Sequence, residues 1–345
     1  MNTPLVSCKP SASTLAATRV MLLLVDGVSL TTVSSTLEPF QLANRYMRRI
    51  AFDVQLVSLD GRDPTTQAGI PIPCQAASGD VLGACDMSGR PDLVILCCGQ
   101  SVDGPSQTLL QRFVRKLFRA SIPVFALGAA CEVIAGTGIL KTRTCAAHWK
   151  SLASLGERFP DLQFDNVLFA SDGRFTSCAG ELAAFDLIVD FIEQVCGARI
   201  AGEICNHFLA CGKRSGETRQ YLGADALICE DERFQKALSI MVDNIETPIT
   251  TAELANRLGL STRQVERIFA KNGFQSPLKY YVRLRLNRAR QLVEQTKMPL
   301  IEIALSCGFE SQTNFSKNYK RAFGKTPYAS RVRTARPQTQ SSSGS

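Results

Sequence analysis

Residues 123–136 read PVFALGAACEVIAG, an apolar run that passes through a glycine into a helical pattern. Val124, Phe125 and Leu127 suit a strand buried on both faces, and Gly128 permits a sharp turn before the helix begins. Strand, tight turn and helix in that order form the frame on which many hydrolases present a nucleophile. Such a nucleophile sits at the apex of the turn, where helix N-terminal amides lower a thiol's pKa. Here the apex falls on Gly128, which has no side chain to attack with, and Cys131 follows inside the first helical turn. Buried cysteines behave as small, inert hydrophobes. Two readings therefore stand: an elbow without a nucleophile, or a thiol chemistry that uses Cys131.

On both sides of this stretch, apolar runs alternate with helical ones over residues 19–200. RVMLLLV (19–25), FDVQLVSLDG (52–61) and PDLVILCC (91–98) read as strands, and STLEPFQLANRYMRR (35–49) and PSQTLLQRFVRKLFRA (105–120) as helices. Nearly continuous apolar strands joined by crossover helices predict an α/β sandwich, a parallel sheet flanked by helices. A hairpin is expected with its turn at Asp172–Gly173, followed by a helix from Glu181 to about Val195. Residues 201–230 mix a short helical start with a Gly-rich polar stretch and read as a linker. Residues 231–335 are wholly helical in pattern, and the tail 336–345 has almost nothing to bury and reads as disordered.

The 345 residues are 45% hydrophobic and 20% charged, which suits a soluble protein of more than one domain. The early run VMLLLV lacks a cleavage pattern and is taken as a core strand, so a cytoplasmic location is expected, with no membrane partner. Thirteen cysteines without a CxxC pair, and only two histidines, predict neither a disulfide framework nor a metal site, and no cofactor motif is present. Residues 246–336 hold 17 Lys/Arg against 6 Asp/Glu, so the whole basic excess of the chain lies in its last third. Such asymmetry points to an anionic partner, nucleic acid first.

Within that third, ITTAELANRLGLSTRQVERIFAKNG (249–273) contains two capping boxes, Thr250 with Glu253 and Ser261 with Gln264. Ala252, Leu254, Ala255 and Leu258 are expected to pack on Val265, Ile268 and Phe269, leaving Thr262, Arg263, Glu266 and Arg267 outward. This is the layout of a helix-turn-helix. It returns in PLIEIALSCGFESQTNFSKNYKRAFG (299–324), where Phe315 and Tyr319 take the places of Val265 and Phe269. Between the repeats, Ser276 and Pro277 open a helix with an apolar stripe of Leu278, Val282, Leu286, Ala289 and Val293. Two reading heads held at a fixed separation could enter successive major grooves.

Residues 249–331, with GFESQTNFSKNYKRAFGKTP, resemble the DNA-binding domain of AraC/XylS-type transcription regulators. The resemblance implies an all-α double helix-turn-helix domain with base contacts from Thr262, Arg263, Gln264 and Arg267, and from Gln312, Thr313, Ser316 and Lys317, with Lys320 on phosphate. Gln264 could cap its helix instead. STLEPFQLANR (35–45), VSLDG (57–61), GAACEVIAGTGIL with AAHW (128–149) and FTSCAGELAAFDL (175–187) together resemble the class I glutamine-amidotransferase-like, or DJ-1/PfpI-like, domain of GlxA-type regulators. In catalytic relatives the apex carries cysteine and a histidine follows about twenty residues later. His148 holds that second position while Gly128 fills the first.

The implied protein is not an enzyme. It is a regulator of double-stranded promoter DNA, more an activator than a repressor, which meets RNA polymerase, forms a homodimer and answers to a small-molecule effector such as an amino acid or quaternary amine. Glu38, Gly128, Ala129, Cys131, His148, Trp149 and Glu181 are the candidate effector residues. Glu132 and Glu181 could instead serve helix N-termini, and Trp149 could be core. A cysteine-dependent hydrolase or hydratase, or a thiol redox sensor, fused to the DNA-binding domain is the alternative.

Overall fold

The computed structural model describes residues 16–78, 90–99, 102, 104–140, 144–220 and 231–334. The expected disordered tail and the last third of the expected linker, 221–230, lie outside them. Two compact units divide the chain, Met1–Gln220 and Tyr221–Ser345.

In the first unit the strands are β1 (Thr18–Leu24), β2 (Phe52–Ser58), β3 (Ala76–Ala77), β4 (Leu93–Cys98), β5 (Val124–Gly128), β6 (Thr144–Ala146), β7 (Gln163–Asp165), β8 (Phe169–Asp172) and β9 (Phe175–Cys178). Among the described residues one sheet runs in the order β3-β2-β1-β4-β5-β9-β8, and β6 pairs with β7 alone. β1 is parallel to both neighbours, with Leu22 opposite Leu56 on one side and Ile95 on the other. Among the described strands only β8 runs against its partner, with Asp172 opposite Phe175, and this is the hairpin the sequence indicated.

Alternate residues of each strand feed opposite layers, as a period of two requires. Val20, Leu22, Ile95, Phe125 and Leu127 point to a layer closed by α1 (Leu30–Met47), through Phe40 and Ala43. Met21, Leu23, Val94, Leu96 and Ala126 point the other way, onto α2 (Gly104–Arg119) and α3 (Ala130–Ala135), with α4 (Leu152–Arg158) beyond. α5 (Leu182–Cys196) and α6 (Ala198–His207) complete the first layer through Ile188, Ile192, Ile200 and Ile204. Each such side chain contributes roughly 1.5–3 kcal/mol by leaving water. Past α6, Arg214 forks onto the buried Asp186 carboxylate at 2.9 and 2.6 Å while its amide donates to the same group at 2.7 Å. The chain as far as Gln220 is thus packed onto the first unit.

The second unit is helical: α7 (Glu232–Asp243), α8 (Thr251–Leu258), α9 (Thr262–Lys271), α10 (Pro277–Gln295), α11 (Leu300–Ser306), α12 (Gln312–Phe323) and α13 (Pro327–Thr334). Both expected capping boxes form, and Gly259 closes α8 in the left-handed region. Ser276 accepts from the Lys279 amide, with Pro277 in the first turn of α10. Leu254, Ala255, Val265 and Phe269 share a core with Phe234, Tyr280, Tyr281 and Leu284.

Two expectations about that core are corrected. Ala252 is exposed because it precedes the buried Leu254 by two residues, which at 3.6 residues per turn puts it on the opposite side of α8 from Leu254. Leu278 is 63% exposed because Tyr280 and Tyr281 take the inner face of α10, and aromatic rings bury more area there than a leucine stripe would.

Candidate functional sites

The carboxyl ends of β1, β4, β5 and β9 meet at one edge of the sheet, where ligands of open α/β sheets bind. Backbone approaches backbone closely there. Gly128 has φ +65°, and a Cβ on it would lie 2.7 Å from the Cys98 carbonyl oxygen. No side chain fits that apex unless the end of β4 moves. Gly180, next along the edge, would place a Cβ 3.1 Å from the Gly128 nitrogen, so the two turns are in contact.

Glu181 follows Gly180 with φ 50° and ψ −134°, a conformation that costs a non-glycine residue about 1–3 kcal/mol. It is exposed, and it precedes α5 without capping it by its side chain. Instead its carboxylate accepts from the Ser29 hydroxyl at 2.7 Å, and its amide donates to Thr32 Oγ1 at 2.8 Å. Ser29 likewise leaves its own helix α1 uncapped. Two helix starts are therefore tied to each other across the edge, flanked by the exposed Leu30 and Leu182.

His148 follows β6 and is half-buried; burial pulls its pKa below the ordinary value, the Lys150 charge adds to that, and Glu181 opposes it. Its Nδ1 lies 3.3 Å from the Lys150 amide, which assigns the proton of the neutral ring to Nε2. The rings of His148 and Trp149 are 5.7 Å apart, and the Lys150 ammonium stands 5.5 Å from the centre of the indole. The Trp149 amide donates to Gln220 Oε1 at 3.0 Å, while Gln220 Nε2 donates to the carbonyls of Ala147 and Val167 at 2.8 and 2.5 Å. The last described residue of the first unit thus grips the loop that carries His148 and Trp149.

Of the candidate effector residues, the fold gathers Gly128, the half-buried Ala129, Glu181 and His148, with Trp149 beside His148. Glu38 is exposed on the outward side of α1, away from Thr32, and Glu132 is engaged with Arg158. Cys131 points into the α2–α3 layer, fully buried. Its contact with the Cys145 thiol, together with burial, pushes its pKa well above the ordinary range. Ser29, Thr32 and Gln220 were not anticipated. A serine before a helix reads as a cap, and nothing local marks one whose hydroxyl is spent elsewhere.

In the second unit, Thr262, Arg263, Gln264, Arg267, Gln312, Thr313, Lys317 and Lys320 are exposed on α9 and α12, and Ser316 is half-buried. Gln264 Oε1 accepts from the Ser261 amide at 2.8 Å, so its side chain is engaged in the capping box. Val265 with Phe269 and Phe315 with Tyr319 anchor the opposite faces of the two helices. Two arginines of α10 reach one repeat each: Arg285 Nε donates to the Cys307 carbonyl at 2.8 Å and lies over Phe309, and Arg283 lies over Phe274, just past α9.

A layered parallel-sheet domain followed by two helix-turn-helix repeats on one chain defines a class of DNA-binding regulator. Residues 18–194 match the DJ-1/PfpI family, and residues 254–333 match a helix-turn-helix domain. The chain belongs to the transcription regulators that fuse a DJ-1/PfpI domain to an AraC-type helix-turn-helix domain. It is 34% identical over 314 residues to the HTH-type transcriptional regulator GbdR of Pseudomonas aeruginosa strain UCBPP-PA14, which covers 88% of this chain and 82% of GbdR. It is 26% identical to the HTH-type transcriptional regulator GlxA of Rhizobium meliloti, over 92% of this chain and 96% of that protein. A crystal structure of an AraC family transcriptional regulator from Pseudomonas putida is 21% identical and covers 56% of this chain and 99% of its own, with a TM-score of 0.48. Among the described residues no helix is long and apolar enough to cross a membrane.

Proposed function

We propose that this regulator binds a small nitrogenous effector, an amino acid or quaternary amine, at the edge formed by Gly128, Glu181, Ser29 and His148, and performs no chemistry on it. The observation that carries this reading is Glu181, an exposed carboxylate held in a strained backbone conformation beside a turn that admits no nucleophile. Strain of that kind persists where surrounding structure over-determines it, which is common at ligand clamps. The carboxylate suits a cationic nitrogen. The indole of Trp149, beside His148, already receives one ammonium, that of Lys150.

Effector binding acts, in this reading, through Gln220, whose three side-chain hydrogen bonds link the His148–Trp149 loop to the chain leading to the second unit. A ligand that favours one arrangement of that loop biases the reading heads only to the extent of its differential affinity for the two states. The protein works as a cytoplasmic homodimer and activates transcription through contact with RNA polymerase. Bases are read by Thr262, Arg263 and Arg267, and by Gln312, Thr313, Ser316 and Lys317, with Lys320 on phosphate. Arg267→Ala is expected to cost about 1–3 kcal/mol at the cognate site and much less on random duplex, by titration of both. Equal loss on both removes Arg267 from the reading set.

The effector test is a thermal-shift screen of the full chain against amino acids, betaines and polyamines, with calorimetry on any hit. At 100 times its dissociation constant a ligand adds about 2.7 kcal/mol of stability. The expected result is a reversible hit lost in Glu181→Gln. Covalent modification at Cys131, or a hit indifferent to Glu181, overturns the assignment.

A further inference from the structure

The first unit carries a feature that effector sensing does not use. On α2, Leu110, Phe113, Val114 and Leu117 are buried, and Arg112, Arg115, Lys116 and Arg119 repeat the same spacing on the other side. Three of these four cations are exposed and Arg115 is half-buried. The helix GPSQTLLQRFVRKLFR contains no acidic residue. None of the four is ion-paired with another described residue. Outside residues 246–336 the chain has fewer Lys/Arg than Asp/Glu, 22 against 25. The stripe is thus a local concentration of charge rather than a sample of a basic surface.

Helix electrostatics accounts for part of it only. Cations are favoured in the last turn of a helix, where Lys116 and Arg119 stand, but the effect fades within a turn and does not reach Arg112. The negative end of α2 is moreover met by other groups: Arg90 donates to the Ala120 carbonyl and Arg174 to the Ser121 carbonyl, the latter at 3.0 Å. Arg174 is exposed and extends the cationic strip past the end of the helix.

We propose that this strip is a second, sequence-independent DNA contact, made to the phosphate backbone when the helix-turn-helix repeats engage a duplex. From Arg112 to Arg119 the helix rises about 10 Å. Over that length each strand of a duplex presents about three phosphates. Three of the four cations are arginine, whose planar fork matches a phosphate with two hydrogen bonds. Strip and reading heads belong to one chain, so a duplex long enough to touch both gains the second contact without a second encounter. The inference rests on the chain's binding DNA and is independent of the effector.

Because phosphate contacts carry no sequence information, a 40-base-pair duplex of random sequence serves as probe. Affinity of the full chain is measured by fluorescence anisotropy between 50 and 200 mM KCl. It is then repeated for the combined variant Arg112→Gln, Arg115→Gln, Lys116→Gln and Arg119→Gln, and for an equal charge change elsewhere, Arg45→Gln, Arg48→Gln, Arg49→Gln and Arg199→Gln. Far-UV circular dichroism melts check that each variant folds.

Each lost phosphate contact flattens the plot of log affinity against log salt by about 0.9. The α2 variant is expected to lose about 3–4 in slope and at least tenfold in affinity at 50 mM, while the control variant keeps the wild-type slope. Equal slopes for wild type and the α2 variant overturn the proposal. Equal flattening by both variants also overturns it, in favour of a bulk charge effect. If the slope is unchanged and the α2 variant loses activation in a purified polymerase assay, the strip serves an acidic protein instead. Absence of binding by the wild type overturns the DNA-binding premise, a different outcome from all of these.

Discussion

Glu181 concentrates the conflict between stability and use at a single position. Its φ of 50° is one that glycine adopts freely, so Glu181→Gly is expected to stabilise the first unit by about 1 kcal/mol, read by urea unfolding. The same substitution removes the carboxylate that the Ser29 hydroxyl meets and is expected to abolish the effector response. A variant that gains neither stability nor a silent phenotype shows that the strain is compensated locally. The sequence made Glu181 visible as an acid at a helix start, and Gly128 visible as an elbow apex without a side chain. It left Glu38 and Glu181 as equal candidates, because the choice depends on which face of α1 turns toward the edge, and α1 is apolar on more than one side. Ser29 and Thr32 were invisible for a related reason: their partner lies about 150 residues away in the chain.

At the scale of elements, the capping boxes, the Gly259 turn and the Ser276–Pro277 start were readable because each is a local contest among a few residues and the backbone. The way the two repeats are held at one spacing was not. Gly308, with φ +71°, lies so close to the segment before α8 that a Cβ would sit 2.4 Å from Pro248 Cγ and 2.6 Å from the Ile245 carbonyl oxygen. Arg285 of α10 fixes the same corner by taking the carbonyls of Cys307 and Gly308. Gly308→Ala is therefore expected to cost about 1–3 kcal/mol of unfolding free energy, by crowding and by backbone strain together. It is also expected to weaken binding to a two-half-site duplex more than to either half-site alone, measured by titration. Equal loss on both probes would leave the corner with a stability role alone. Leu278 was misread for the same kind of reason, since an apolar side chain in the first turn of α10 fits the stripe by period and is displaced only by the tyrosines that follow it.

Across the whole molecule, the chemistry open to the chain is limited by where its thiols lie. Cys98 and Cys178 are pushed up to about 12 by burial, and Cys97 and Cys131 are raised as well. Cys211 is exposed. Brief treatment of the native protein with iodoacetamide at neutral pH, followed by peptide mass spectrometry, should label Cys211 and spare Cys97, Cys98, Cys131 and Cys178 until denaturant is added. Rapid native labelling of Cys131 would revive the thiol-enzyme and redox-sensor readings. The architecture of both units and the basic bias of the second were legible from period and charge. The grip of Gln220 was not, because one glutamine among polar neighbours carries no pattern. The closed turn at Gly128 has a further consequence, for evolutionary history. Installing a cysteine there is one codon change away on paper, yet the new side chain would collide with the Cys98 carbonyl before it could attack anything. The end of β4 would have to shift first, so a point mutation at Gly128 alone does not place a working nucleophile at this apex.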